Sequence, residues 1–290
     1  MNMGRWFSVL RKPSNFGPYL AGLWEGDGHI WIPTTTHAPS GKRYTPHFAI
    51  TFAEADYPLV LILQLLLGGT IRHKLENHAY VLTITSISGL TNVINLINGH
   101  LRTPKIHKFN TLISWINNHT EGTIPTHSVD QSELLGNAWL AGFIEADGSF
   151  DIRVSQTSTG SLKNRVSARL RLEQRQVDPT TAVSYSDIMS AIAEALGTTL
   201  NISTHNGVQY FLIAASSAKA RAIIANYFSM FPLFSSKRLN YQDWLTCHKL
   251  ILDKKHTTPA GRELALKLKS GMNSTRTYLN WDHLESLKTY

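Results

Sequence analysis

The chain has 290 residues, 42% of them hydrophobic, with 28 Lys and Arg against 20 Asp and Glu and a formal charge of +8. That length suits two domains or one duplicated one, and that hydrophobic fraction excludes general disorder. The positive balance favours a polyanionic partner, nucleic acid or an acidic membrane surface, and the lone cysteine, Cys247, excludes a disulfide framework or a cysteine-rich zinc site.

Residues 1–24 carry Arg5, Arg11 and Lys12 and no acid, and without a clear amphipathic pattern they read as a basic arm rather than a leader. "FGPYLAGLWEGDG" (16–28) reads as a helix, with Pro18 in its first turn and Leu20, Leu23 and Trp24 on an apolar stripe. "HIWIPTTTH" (29–37) is strand-prone and leads to a Gly-Lys-Arg loop at 41–43. "YTPHFAITF" (44–52) alternates with period two, the mark of a second strand. "DYPLVLILQLLLGG" (56–69) reads as a buried helix ending at Gly68-Gly69, and its apolar run is too short to span a membrane. "TIRHKL" and "YVLTIT" (70–85) form a hairpin, and "TPKIHKFNTLISWINNH" (103–119) a helix. The polar segment 117–133 reads as a linker.

The same order then recurs. "WLAGFIEADGSF" (139–150) repeats "YLAGLWEGDGHI" (19–30). A strand at 149–157 precedes a loop containing Lys163, and "RVSARLRLEQ" (165–174) alternates strictly. A helix over about 182–196 stops at Gly197, Asn206-Gly207 turns a hairpin, and helices follow at 217–229 and 235–252. The offset between copies drifts from 120 at Asp27 and Asp147 to 132 at Lys105 and Lys237, as small loop insertions produce. The fold class expected is α+β: a pseudo-twofold tandem repeat of αββαββα units, each a four-stranded antiparallel sheet with helices on one face. The expected divisions are an N-terminal half (1–118), a linker (119–132) and a C-terminal half (133–290).

The doubled phrase carries the chemistry. Gly22 and Gly26 lie four apart on one helix face, and Gly142 and Ala146 do the same, so the two helices can abut closely. Gly28 and Gly148 are placed to end those helices in left-handed caps. Asp27 and Asp147 then sit together at two helix C-termini, where carboxylates repel each other and the helix ends alike. Such a pair persists with cations between its members, and an oxygen-only site suits Mg²⁺. Two such ions can activate water and stabilise the leaving oxygen of a phosphodiester. Glu25 and Glu145, about 200° round the helix from the aspartates, are assigned a structural role near the helix ends.

"LAGLWEGDG" and "LAGFIEADG" resemble the signature of LAGLIDADG homing endonucleases in their single-chain, two-motif form. "DKKHTTPAG" (253–261) and "MNSTR" (272–276) resemble the tail of the fungal organellar branch. The resemblance covers nearly the whole chain. It implies a site-specific endonuclease that cuts both strands of a long asymmetric DNA site across the minor groove, leaves short 3′ overhangs and starts intron homing. It further implies two or three divalent ions shared by Asp27 and Asp147, with the Gly26 and Ala146 carbonyls contributing. Lys105, Lys237 and Gln174 complete the implied catalytic set, and the first half offers only Phe52 or Ala53 where Gln174 stands, which implies unequal cleavage of the strands. A mitochondrial location and a monomer needing no protein partner and no membrane follow from the same likeness.

Period two assigns one sheet face to DNA. In the first half that face carries His29, Trp31, Thr35, His37, Thr45, His47, Arg72 and Lys74. In the second it carries Ser149, Asp151, Arg153, Ser155, Arg165, Ser167, Arg169, Arg171, Asn201 and Ser203. Together they make a basic saddle along the major groove, while Lys42, Arg43 and Lys163 in loops touch phosphates. The 13 histidines are scattered, which argues against zinc. An RNA-binding intron maturase, with the host intron RNA as partner, is the alternative, and a DNA binder without catalysis ranks last because both aspartates are present.

Overall fold

Apolar alternation and helical periodicity resolve into one series of elements run twice. The computed structural model describes residues 15–35, 37, 39–41, 44–155 and 165–290. The first half comprises α1 (Phe16–Asp27), β1 (Gly28–Trp31), β2 (His47–Ala53), α2 (Tyr57–Leu67), β3 (Thr70–Lys74), β4 (Ala79–Ile84), α3 (Ile87–Ile97) and α4 (Ile106–Asn117). The second comprises α5 (Trp139–Asp147), β5 (Gly148–Val154), β6 (Val166–Arg175), α6 (Ser186–Ala195), β7 (Leu200–His205), β8 (Val208–Ala215), α7 (Ala218–Met230) and α8 (Lys237–Leu252). A further helix, α9 (Pro259–Ser270), and a 3₁₀ segment (Asp282–Thr289) follow.

Each half holds one antiparallel four-stranded sheet, ordered β1-β2-β4-β3 and β5-β6-β8-β7. The β1 register pairs Gly28 with Ile50, and the β5 register pairs Gly148 with Leu172, so the sheets superpose row by row. One face of each sheet buries its apolar residues, Ile30, Phe48 and Ile50 in one half and Phe150, Ile152 and Leu170 in the other. The tight β7–β8 turn has positive φ at both Asn206 and Gly207, as its dipeptide demands. Both β1 and β5 spring from the C-terminal ends of α1 and α5, so the two polar sheet faces begin at one place and form one surface. Among the described residues no helix is long and apolar enough to cross a membrane.

Four expectations change. The repeat unit ends in two helices rather than one: α3 forms despite its turn-prone Ser, Gly, Thr and Asn, since Ser86 caps it at 3.1 Å from Gly89 N and Leu90, Val93, Ile94 and Ile97 bury one stripe. The α2 helix is buried on one side only: Leu59, Val60, Leu63 and Leu67 face inward, while Leu61 and Leu65 face solvent. β1 stops at Trp31, two residues before Pro33, which has no N–H for the ladder. α6 begins at Ser186 rather than near 182, because Asp178 accepts from Thr180 N and Thr181 N at 3.0 and 2.8 Å and holds that stretch as a turn.

Residues 118–138 form neither helix nor strand, yet they are tied down. Arg102 Nη1 donates to Ser132 O at 2.7 Å, and Nη2 meets Asp130 at 2.8 Å. The tail is also fastened: Asn273 donates to Phe150 O at 3.0 Å, Arg276 pairs with Asp243, and the Tyr290 ring meets Phe234 edge-on at 4.9 Å.

Candidate active site

Helices α1 and α5 are buried nearly throughout and lie against each other. A Cβ on Gly22 would stand 2.8 Å from Phe143 N, and one on Gly142 would stand 2.7 Å from Leu23 N. In both cases the neighbouring helix's carbonyl oxygen, of Trp139 or Tyr19, would be closer still, so only glycine permits this approach. Gly28 and Gly148 do not form left-handed caps. Their φ/ψ are −94/160° and −85/162°, extended backbone, because each helix runs straight into a strand. Glycine is needed there for room: a Cβ would collide with the Trp24 ring or with Ile144.

Asp27 and Asp147 close the two helices side by side and both keep a route to solvent. Burial, opposed by the two lysines, raises the Asp27 carboxyl above its ordinary range. Burial and then the neighbouring Asp27 charge push Asp147 up to about 6. Gln174 Nε2 donates to Asp147 Oδ2 at 2.9 Å. By sheet register its counterpart in the first half is Phe52, which is buried and offers nothing to Asp27, so the halves are not equivalent.

Lys105 Nζ donates to Gly26 O at 2.8 Å and Gly28 O at 2.9 Å, while Lys237 Nζ donates to Ala146 O at 3.0 Å and Ile144 O at 3.1 Å. The carbonyls of Gly26 and Ala146 thus serve lysine ammoniums seated at the negative helix ends, which leaves the two carboxylates as the charged donors. Burial lowers both lysine pKa values. The acid that opposes this most is Asp147 for Lys105 and Asp27 for Lys237, so each centre draws on both halves.

The motif glutamates do more than end a helix. Glu25 accepts from Thr103 N and Thr103 Oγ1 at 2.6 Å, from Arg102 N at 3.0 Å, and from the Trp139 indole of the other half at 2.6 Å. Glu145 accepts from Ser235 N at 2.7 Å, from Phe234 N, and from the Tyr19 hydroxyl of the other half. Each glutamate thereby fixes the loop just before a lysine and staples the halves together. Desolvation raises both, Glu145 to about 7. The glutamate role was legible in the sequence; the partners Thr103, Tyr19 and Trp139 were not, because nothing local marks them.

The polar sheet faces carry most of the assigned residues. His29 and Trp31 on β1, His47 on β2, and Arg72 and Lys74 on β3 are exposed. Ser149, Asp151 and Arg153 on β5 and Ser167, Arg169 and Arg171 on β6 share the outer face of the second sheet, and register adds Asn201 and Ser203. Several are already engaged: Arg169 with Asp151, Arg171 with Glu173 at 3.0 Å, and Ser203 with Glu173. Thr35, His37 and Thr45 stand outside the named strands, so strand phase does not fix their direction; Ser155 and Arg165 lie one residue beyond β5 and β6 but still pair, Ser155 N donating to Arg165 O at 2.9 Å. In the first half the strands are short because Pro33 and Pro46 cannot donate to a ladder. Lys42, Arg43 and Lys163 lie outside the described residues.

Beyond the end of β8, the open edge of β6 borders a cavity of about 600 Å³. Arg153, Arg165, Arg169, Arg221 and His256 line it, with no acid among its described lining residues.

The LAGLIDADG endonuclease family signature matches residues 20–116 and 140–248, one copy per half. The chain belongs to the LAGLIDADG endonuclease family. It is 30% identical to the intron-encoded DNA endonuclease aI3 of Saccharomyces cerevisiae, across 97% of this chain and 75% of that protein. The intron-encoded RNA maturase bI4 of the same yeast is 28% identical, over 56% of this chain and 23% of that one. The solved LAGLIDADG homing endonuclease I-SmaMI, bound to cleaved DNA, shares the fold with a TM-score of 0.69 and 18% identity, covering 91% of this chain and 99% of that one. Among the described residues of this LAGLIDADG chain no group of three or more His, Cys, Asp or Glu could hold a metal. An ion at the helix ends would have Asp27 and Asp147 as its charged ligands and would need further oxygens from outside the chain, a donor set of the kind Mg²⁺ accepts.

Proposed function

We propose that this LAGLIDADG endonuclease cuts both strands of a long asymmetric DNA site with Mg²⁺ held by Asp27 and Asp147, leaving short 3′ overhangs. The observation that carries the reading is the pair of carboxylates at the ends of two abutting helices, each raised in pKa by burial, with each other's charge adding at Asp147. When bound, the divalent ions activate a water and offset charge on the leaving oxygen. Lys105 and Lys237 present one ammonium per centre to the phosphodiester oxygens. Gln174 orients Asp147 and supplies an amide at one centre, whereas Phe52 leaves the other without one, which supports unequal strand rates. The polar sheet faces hold the duplex across the two centres.

Incubating the protein with DNA spanning the junction where its gene's intron is inserted tests this. Linear product with short 3′ overhangs in Mg²⁺, and none in EDTA, is expected; uncut DNA in Mg²⁺ contradicts it. The rate is expected to fall as pH drops below about 6, because the proton that Asp147 takes up competes with the cation, and added Mg²⁺ is expected to move that fall to lower pH.

The arginine-lined cavity at the β6 edge supports phosphate rather than base contact there. Replacing Arg153 and Arg165 by Ala together is expected to weaken binding equally on target and unrelated DNA, and to lower the slope of log affinity against log salt by about 2. A loss confined to the target sequence would make them base readers. RNA maturation stands second, since the maturase match spans only half of this chain. Relatives encoded in fungal introns, one in a cox1 intron of Schizosaccharomyces pombe, support a mitochondrial place of action.

A further inference from the structure

The two lysine-bearing helices begin with matching backbone N–H bonds, save one; the first half adds a hydroxyl bond, Thr103 Oγ1 to Glu25 Oε1 at 2.6 Å. Arg102 N and Thr103 N donate to Glu25; Phe234 N and Ser235 N donate to Glu145. Lys105 N donates to Thr103 Oγ1 at 3.3 Å, and Lys237 N to Ser235 Oγ at 3.2 Å. Position for position, Thr103 matches Ser235 and Lys105 matches Lys237. Between them stands Pro104 in one half and Ser236 in the other. Pro104 has no N–H to satisfy. Ser236 has one, and it donates to Asp56 Oδ1 at 2.7 Å. Asp56 belongs to the first half, in the turn between β2 and α2, so this bond crosses the molecule. The residue matching Asp56 in the second half, by the β2/β6 register, is Asp178. Its carboxylate accepts within its own turn, from Thr180 and Thr181, and among the described residues it takes no backbone N–H from the other half.

We infer that Asp56 is a positioning residue for one cleavage centre only: by capping the start of α8 from the opposite half, it holds Lys237 on the Ala146 and Ile144 carbonyls, whereas Lys105 needs no such support. Removing the cap leaves the Ser236 N–H without its partner at the first turn, one residue before the lysine. The start of α8 then shifts, and a displacement near 1 Å is enough to slow a reaction about a hundredfold. Lys105 keeps every bond it has. The protein therefore becomes strand-selective: it nicks at the Lys105 centre and stalls before the second cut. This rests on the reading of Lys105 and Lys237 as the cations of the two centres.

The test follows supercoiled plasmid carrying one target site through nicked circle to linear DNA, using the full chain in Mg²⁺. Lys237→Ala serves as the reference and accumulates nicked circle. Asp56→Ala is expected to form nicked circle within about threefold of the wild-type rate and to convert it to linear about ten to a hundred times more slowly. Asp56→Asn keeps a side-chain oxygen facing the Ser236 N–H and restores linear product. Asp56→Ala combined with Ser236→Pro copies the Pro104 solution, and the φ of −54° at Ser236 accepts proline. That double variant is expected to recover the second cut. If Asp56→Ala linearises plasmid like the wild type, or slows both cuts alike while Asn and the proline variant give no recovery, the inference is overturned. If Lys237→Ala itself leaves no nicked circle, the lysine assignment beneath it fails instead.

Discussion

Exchanging Asp27 and Asp147 for asparagine is expected to lower DNA cleavage by about a thousandfold or more while DNA binding persists, since ion-derived stabilisation of a phosphoryl transition state amounts to several kcal/mol. The same change has a second, opposite signature. The Asp147 carboxyl has a folded-state pKa of about 6 against an ordinary value of 3.8, so the fold binds its proton more tightly than the unfolded chain does. The ionised form therefore destabilises the fold above pH 6, and the strain is relieved as pH falls from 6 towards 4. At pH 8 without divalent ions, Asp147→Asn is expected to raise stability by on the order of 1–3 kcal/mol, seen as a melting temperature a few degrees higher. Added Mg²⁺ is expected to stabilise the wild type by binding the folded form alone and to do nothing for the double variant. A double variant that still responds to Mg²⁺ would place the ions elsewhere.

The second large effect lies in the helix seam. Gly22→Ala or Gly142→Ala puts a Cβ onto the partner helix's backbone, where neither atom can swing away as a flexible side chain would. Overpacking of that kind costs about 3 kcal/mol or more, enough to lower the melting temperature by roughly 10 °C. Activity falls with it, because parting the helices parts the two aspartates. Gly122→Ala is the control, since nothing lies within 4 Å of a Cβ there. Equal melting temperatures for the three variants would show that the helices do not meet as described.

What the sequence disclosed and what it concealed divide along physical lines. The doubled phrase disclosed the helix seam and the paired acids, because four-residue spacing of small residues and an acid before glycine are local facts. Strict alternation in 165–174 disclosed an arginine face that the sheet register confirms. Strand phase failed beyond Trp31, where Pro33 breaks the ladder and Thr35 and His37 lose their assigned side. Helix α3 was concealed because its Ser, Gly, Thr and Asn mimic a turn, and only the stripe Leu90, Val93, Ile94, Ile97 reveals it. The Asp56 contact was beyond reach for another reason: its partner is 180 positions away, and neither residue belongs to a motif.

The most direct measurement is an anomalous-scattering map of Mn²⁺ in a crystal of the protein bound to its target DNA. Peaks within coordination distance of both Asp27 and Asp147, beside the scissile phosphates, are the result this account predicts. Ions bound only away from those carboxylates, in crystals where the DNA is nonetheless cut, would contradict it.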